Sequence, residues 1–108
     1  MTYNILRTDL FERKFNKIDN SIQKEIKEIR DKLKENPFLG KPLDFEFFRE
    51  IKIKKFRIYF LIYEEYKIVY MITISEKKDQ QVAINTIRLF LWKYKEEIED
   101  WIRKHELD

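Results

Sequence analysis

The chain has 108 residues, of which 40% are charged and 16% aromatic, with a net charge of +3 and no cysteine. That length makes one domain able to bury a single core, and the missing Cys excludes a disulfide framework and any thiolate metal centre. Gly40 is the only glycine, which rules out phosphate loops and dinucleotide fingerprints, since both need several. Residues 3–7 read as an edge strand. Asp9 with Glu12 three positions later is a capping-box-like start for a first helix, which carries Phe11, Phe15 and Ile18 on one face. Asp19, Asn20 and Ser21 interrupt it. A second helix with Ile22, Ile26, Ile29 and Leu33 as its stripe stops at Asn36-Pro37, because the residue before proline is pushed out of helical geometry. Residues 38–44 read as a loop, and strand-like runs follow at 47–53, 56–63 and 67–75. From about Lys78 the apolar period is helical again. Ile84, Ile87, Leu91, Tyr94, Ile98, Trp101 and Ile102 form one stripe and predict a long C-terminal helix over about 78–106, roughly 40 Å in length.

These elements predict an α+β fold in a single domain spanning 1–108: an N-terminal edge strand, an antiparallel helix pair, a three-stranded antiparallel meander and the long C-terminal helix. The longest apolar runs are too short to cross a bilayer, and Arg7 and Asp9 stand where a signal peptide needs an apolar core. A soluble cytoplasmic protein with no membrane association is the expectation.

Within the meander, a two-residue turn at Lys54-Lys55 pairs Ile53 with Phe56 and Ile51 with Ile58 on the core face and sets Lys52 opposite Arg57 on the other. A three-residue turn at Glu64, Glu65 and Tyr66 keeps the next pairing in phase, with Ile62 opposite Ile68, Phe60 opposite Tyr70 and Ile58 opposite Ile72. That register puts Arg57 beside Thr73, and Glu50, Tyr59 and Met71 further along the same non-core face. It also gathers Lys52, Lys54, Lys55, Arg57, Lys77 and Lys78 at one end of the sheet. Like charges placed close together are destabilising, so a fold that collects them invites a polyanion. Lysines in a turn also serve simply to block edge pairing, which is the simpler account of Lys54 and Lys55 alone. Arg57 lies inside an apolar strand and is not explained that way. Such a cluster can bind phosphates, stabilise charge on a transferring phosphoryl group, and lower the pKa of one lysine so that it acts as general base.

Other chemistries find little support. His105 is the only histidine and suits a helix C-terminus, so no Ser-His-Asp triad can be assembled. Acidic residues fall at helical spacing from basic ones, as Glu99 with Arg103 and Asp100 with Lys104, which leaves no metal site and implies no cofactor. Arg49 falls on the apolar parity of its strand and reads as a buried-edge ion pair. Trp92 and Trp101 read as packing or partner-binding residues.

The order of strand, helix pair, NPFLGKPL loop, REIKIKKFRIYFLIY hairpin, IVYMITIS strand and EKKDQQ resembles the RelE/ParE superfamily of toxins from toxin-antitoxin modules, over about residues 3–90. The resemblance implies a small twisted, mainly antiparallel sheet facing the helix pair. In the RelE branch it also implies a ribosome-dependent endoribonuclease that cuts mRNA by metal-independent attack of the 2′-OH on the adjacent phosphate. Arg57 matches the family arginine that stabilises that phosphate. Lys52 and Lys54 match the basic positions on the preceding strand, one of which is the general base, and Lys77 or Lys78 matches the basic residue after the last strand. Lys55 joins these as an RNA-binding residue. Gln80, Gln81 and Ala83 stand where many members carry a C-terminal tyrosine, and the KKxQ pattern resembles the HigB-like branch, which lacks that tyrosine too. The implied partners are a cognate antitoxin and mRNA on the ribosome, with the C-terminal helix as an antitoxin or homodimer contact. A ParE-like DNA gyrase inhibitor and a non-catalytic RNA- or ribosome-binding module stay open as alternatives.

Overall fold

The computed structural model describes residues 2–106. In chain order they form β1 (Asn4–Arg7), α1 (Asp9–Asn16), α2 (Asn20–Glu35), β2 (Lys41–Leu43), β3 (Phe45–Ile53), β4 (Phe56–Tyr63), β5 (Ile68–Glu76), α3 (Gln80–Leu89) and α4 (Leu91–His105). Short 3₁₀ turns at Glu64–Tyr66 and Lys77–Asp79 flank β5. The five strands make one mixed sheet in the order β1-β5-β4-β3-β2, in which only the β1–β5 pairing is parallel.

Helix α1 is capped by Thr8 rather than by Asp9. The Thr8 hydroxyl accepts from the Phe11 amide at 2.9 Å and donates to the Ile72 carbonyl at 2.7 Å, so one side chain starts the helix and ties it to β5. Glu12, one half of the expected box, pairs with Arg7 instead. Helix α2 stops at Asn36 as expected.

Both faces of the sheet are covered. Under α1 and α2 lie Ile51, Ile53, Ile58, Phe60, Ile62, Val69, Met71 and Ile74, joined by Phe11, Ile26 and Leu33. Under α3 and α4 lie Phe48, Tyr59, Leu61, Ile68, Tyr70 and Ile72, joined by Ile84, Ile87 and Ile98. The face read from sequence as non-core is therefore a second core over most of its area.

Three expectations need correction. Residues 41–43, read as loop, form the edge strand β2. Pro42 hides this strand, because proline is tolerated only where no ladder N–H is required, and an edge supplies such a place. The β4–β5 turn is longer than three residues, with Tyr63 opposite Ile68 and Lys67 in left-handed geometry. The ladder then slips by one between Tyr59 and Phe60, where Ile72 is the extra residue of a β-bulge. Consequently Arg57 stands opposite Ser75 and not Thr73, and Met71 belongs to the core beneath α1 and α2. The third concerns the C-terminal helical run, which keeps a long helix, α4, but starts it at Leu91. Phe90 leaves helical geometry, and its amide bonds back to Thr86 and Ile87. One unbroken rod would run about 40 Å against nine-residue strands of about 30 Å. The break lets both halves keep their apolar faces on the sheet.

Candidate functional site

The β3–β4 turn and the end of β5 share one end of the sheet, because Phe56 pairs with Ile53 on one side and Glu76 on the other. Lys52 stands directly opposite Arg57 as the alternation requires. Lys54 occupies the turn in left-handed geometry, with φ of 54°. Lys55 follows, its ammonium 5.4 Å from the Phe56 ring centre and 4.0 Å from the Glu76 carboxylate, an exposed pairing worth little. Lys77 and Lys78 come immediately after Glu76 in the 3₁₀ turn. All five lysines are exposed, so the structure brings the six basic residues to one end of the molecule.

Arg57 differs from its neighbours. It is only 8% exposed, and its one hydrogen bond is a long one, 3.5 Å from Nη1 to the Lys55 carbonyl. Among the described residues no carboxylate lies within ion-pair distance of it. A guanidinium offers five donors in a planar fork, and burying one without an anion is costly. The arrangement suits an anion supplied from outside.

Beneath the lysines lies a polar layer that continues the face inward. Tyr59 and Ser75 share a hydrogen bond of 2.9 Å between their hydroxyls. Burial pushes the Tyr59 phenol above its ordinary range, opposed by the bond to Ser75, so it stays neutral at physiological pH and is no proton acceptor. Glu50, 7% exposed, accepts a hydrogen bond from Gln80 Nε2 at 2.8 Å and ties the start of α3 to the sheet. Sequence reasoning put Glu50 on this face without a role, and it missed the link to Gln80. The available signal was parity, since Glu50 is two residues from Lys52 and therefore points the same way.

Arg49, by contrast, is structural. It is buried and donates to the carbonyls of Phe38, Leu39, Gly40 and Glu46, with the Glu46 carboxylate at 3.1 Å, so it clamps the loop before β2. His105 stacks on Trp101 with ring centres 4.0 Å apart. The expected pairing of Glu99 with Arg103 is replaced by Asp100 with Arg103, while Glu99 takes a bond from Tyr66. Among the described residues no group of three or more His, Asp or Glu is placed to hold a metal, and no helix is long and apolar enough to cross a membrane.

No protein-family model and no curated protein matches the sequence. Solved structures do match. A doubly substituted E. coli toxin RelE in the free state aligns with a TM-score of 0.70 at 15% identity, over 82% of this chain and 97% of that one. The chain has the RelE fold. The same fold is found in the toxin-antitoxin complex RelBE2 from Mycobacterium tuberculosis, with a TM-score of 0.63 at 21% identity over 71% of this chain and 100% of that one. It is found again in an archaeal RelE-RelB complex from Pyrococcus horikoshii, with a TM-score of 0.57 at 12% identity over 71% and 97%.

Proposed function

We propose that the protein is the toxin of a toxin-antitoxin module and acts as a ribosome-dependent mRNA endoribonuclease without a metal. One observation carries the reading: Arg57 is a buried guanidinium with no carboxylate partner among the described residues, at the same end of the sheet as five exposed lysines. The fold likeness to RelE toxins, several of them in complex with an antitoxin, supports the class. A lysine on β3 or in the turn, Lys52 or Lys54, takes the 2′-OH proton. The 2′-oxygen bonds to phosphorus, the bond from phosphorus to the 5′-oxygen breaks, and a protonated Lys77 or Lys78 returns a proton to that leaving oxygen. Arg57 holds the non-bridging oxygens, where charge gathers as the new bond forms. The ribosome positions the strand, a role that this open basic surface does not fill alone. Exposed lysines, Lys55 among them, steer the polyanion and hold its backbone. A cognate antitoxin that silences the enzyme has to cover this end, and α4 with its exposed acids is the second surface for such a partner or for a second copy of the chain.

Inducing the chain without an antitoxin and mapping transcript ends on ribosomes tests the reading. Growth arrest with new ends inside codons is expected, and arrest with intact transcripts contradicts it. DNA-damage signalling with unbroken mRNA selects gyrase as the target, and harmless expression with RNA retention selects a binding module.

A further inference from the structure

Strand β1 pairs only with the first half of β5, leaving the outer edge of residues 72–76 without a strand neighbour. Two carbonyls on that edge are occupied, Ile72 by Thr8 Oγ1 and Ile74 by Lys14 Nζ at 3.0 Å. Beside it, α1 and α3 enclose a crevice of about 230 Å³, room for one ring system and part of a ribose. Its walls include Leu10, Ile72 and Val82, and its polar groups include Thr73, Lys14 and Asp79. Leu10 and Val82 are among the few large apolar side chains left exposed. Thr73 is 5% exposed, and its hydroxyl is buried with no hydrogen-bond partner among the described residues. An orphaned buried hydroxyl is costly, and a ligand that reaches it recovers the cost. Asp79 precedes α3 but makes no side-chain capping bond, so its carboxylate is free to accept.

We propose that this crevice is a guanine-reading subsite for the nucleotide adjoining the phosphate held by Arg57. The inference rests on the RNA-cleaving reading for its substrate class. Apolar walls suit the faces of a planar ring. Guanine alone among the four bases offers two adjacent donors to a carboxylate and, beside them, a carbonyl oxygen and ring nitrogen to a lysine. Asp79 and Lys14 supply those two complements, and Thr73 meets the ring edge at depth. Ser75 joins the two sites, since it lines the crevice and stands opposite Arg57 across the strand pair, a separation of about 5 Å between backbones.

The test is a titration of the methyl-labelled full chain with the 5′-monophosphates of guanosine, adenosine, cytidine and uridine at millimolar concentration. GMP is expected to shift the methyls of Leu10, Ile72 and Val82 and to bind about tenfold more tightly than the other three. Thr73→Val and Asp79→Asn should each bring GMP down to the level of the others, and the exposed position of Asp79 keeps the comparison informative if the buried variant folds poorly. Absence of shifts at these methyls, or equal affinity for all four nucleotides, overturns the subsite. Arg57→Ala reports separately on the phosphate. A guanine preference with no effect of Arg57→Ala leaves the subsite standing and removes the cleavage reading, whereas an Arg57-dependent affinity without base preference does the reverse.

Discussion

Arg57 and Gly40 show how single positions set the geometry at this end of the sheet. Gly40 has φ of +75°, and a Cβ built on it would lie 2.3 Å from the Glu50 carbonyl oxygen and 2.6 Å from Ile51 Cγ1. Gly40→Ala therefore combines left-handed strain with backbone overlap, about 3 kcal/mol together. A fall in Tm of about 10–20 °C is expected in thermal melts, and an unchanged Tm would mean that the loop relaxes freely. Lys67 also has a positive φ, 56°, at the end of the turn before β5. Lys67→Gly should stabilise the fold by about 1 kcal/mol in urea titrations, and a loss would assign its stem a packing role over Tyr3. The pairing of Lys52 with Arg57 was legible from strand parity alone, because a two-residue turn leaves no freedom of register. The burial of Arg57 was not, since alternation names a face and not what covers it.

At the scale of elements, the bulge at Ile72 and the break at Phe90 account for most of the distance between sequence and structure. Neither carries a glycine or proline to mark it. Tertiary packing decides both: the bulge swaps faces halfway along β5, and the break refolds the helical run over a twisted sheet. Helix α4 covers a cluster of phenols. Burial is the main reason that Tyr63, Tyr70 and Tyr94 are held above the ordinary phenol range, and the charge of Glu97 adds to it in each case. Tyr70 also donates to Glu97 at 2.8 Å. A phenol whose pKa is higher folded than unfolded contributes fully below its unfolded value, near 10, and loses that contribution as pH rises through the folded value. Denaturant midpoints should be flat in pH below that value for these groups and fall above it, with a shallower fall in Tyr70→Phe. An equal fall in that variant would place the alkaline sensitivity elsewhere.

Across the whole molecule, a modest net charge of +3 conceals a local concentration, because six basic residues meet at one end of the sheet. Composition alone does not locate these charges, and the joining of the hairpin to the end of β5 brings them together. Affinity of the chain for programmed ribosomes should accordingly fall with rising salt, with a slope that shrinks by about one in Lys52→Ala. A flat salt profile would move recognition away from the lysines. Helices α3 and α4 pack over the core of the second face, while Arg57 at its basic end has no carboxylate within ion-pair distance among the described residues. The most direct measurement is single-turnover cleavage of mRNA on purified ribosomes by the wild-type chain and by Arg57→Ala. Cuts within codons are expected from the wild type, slowed by about 10²–10³-fold in the variant. Intact mRNA with the wild type, or equal rates for the two proteins, would contradict it.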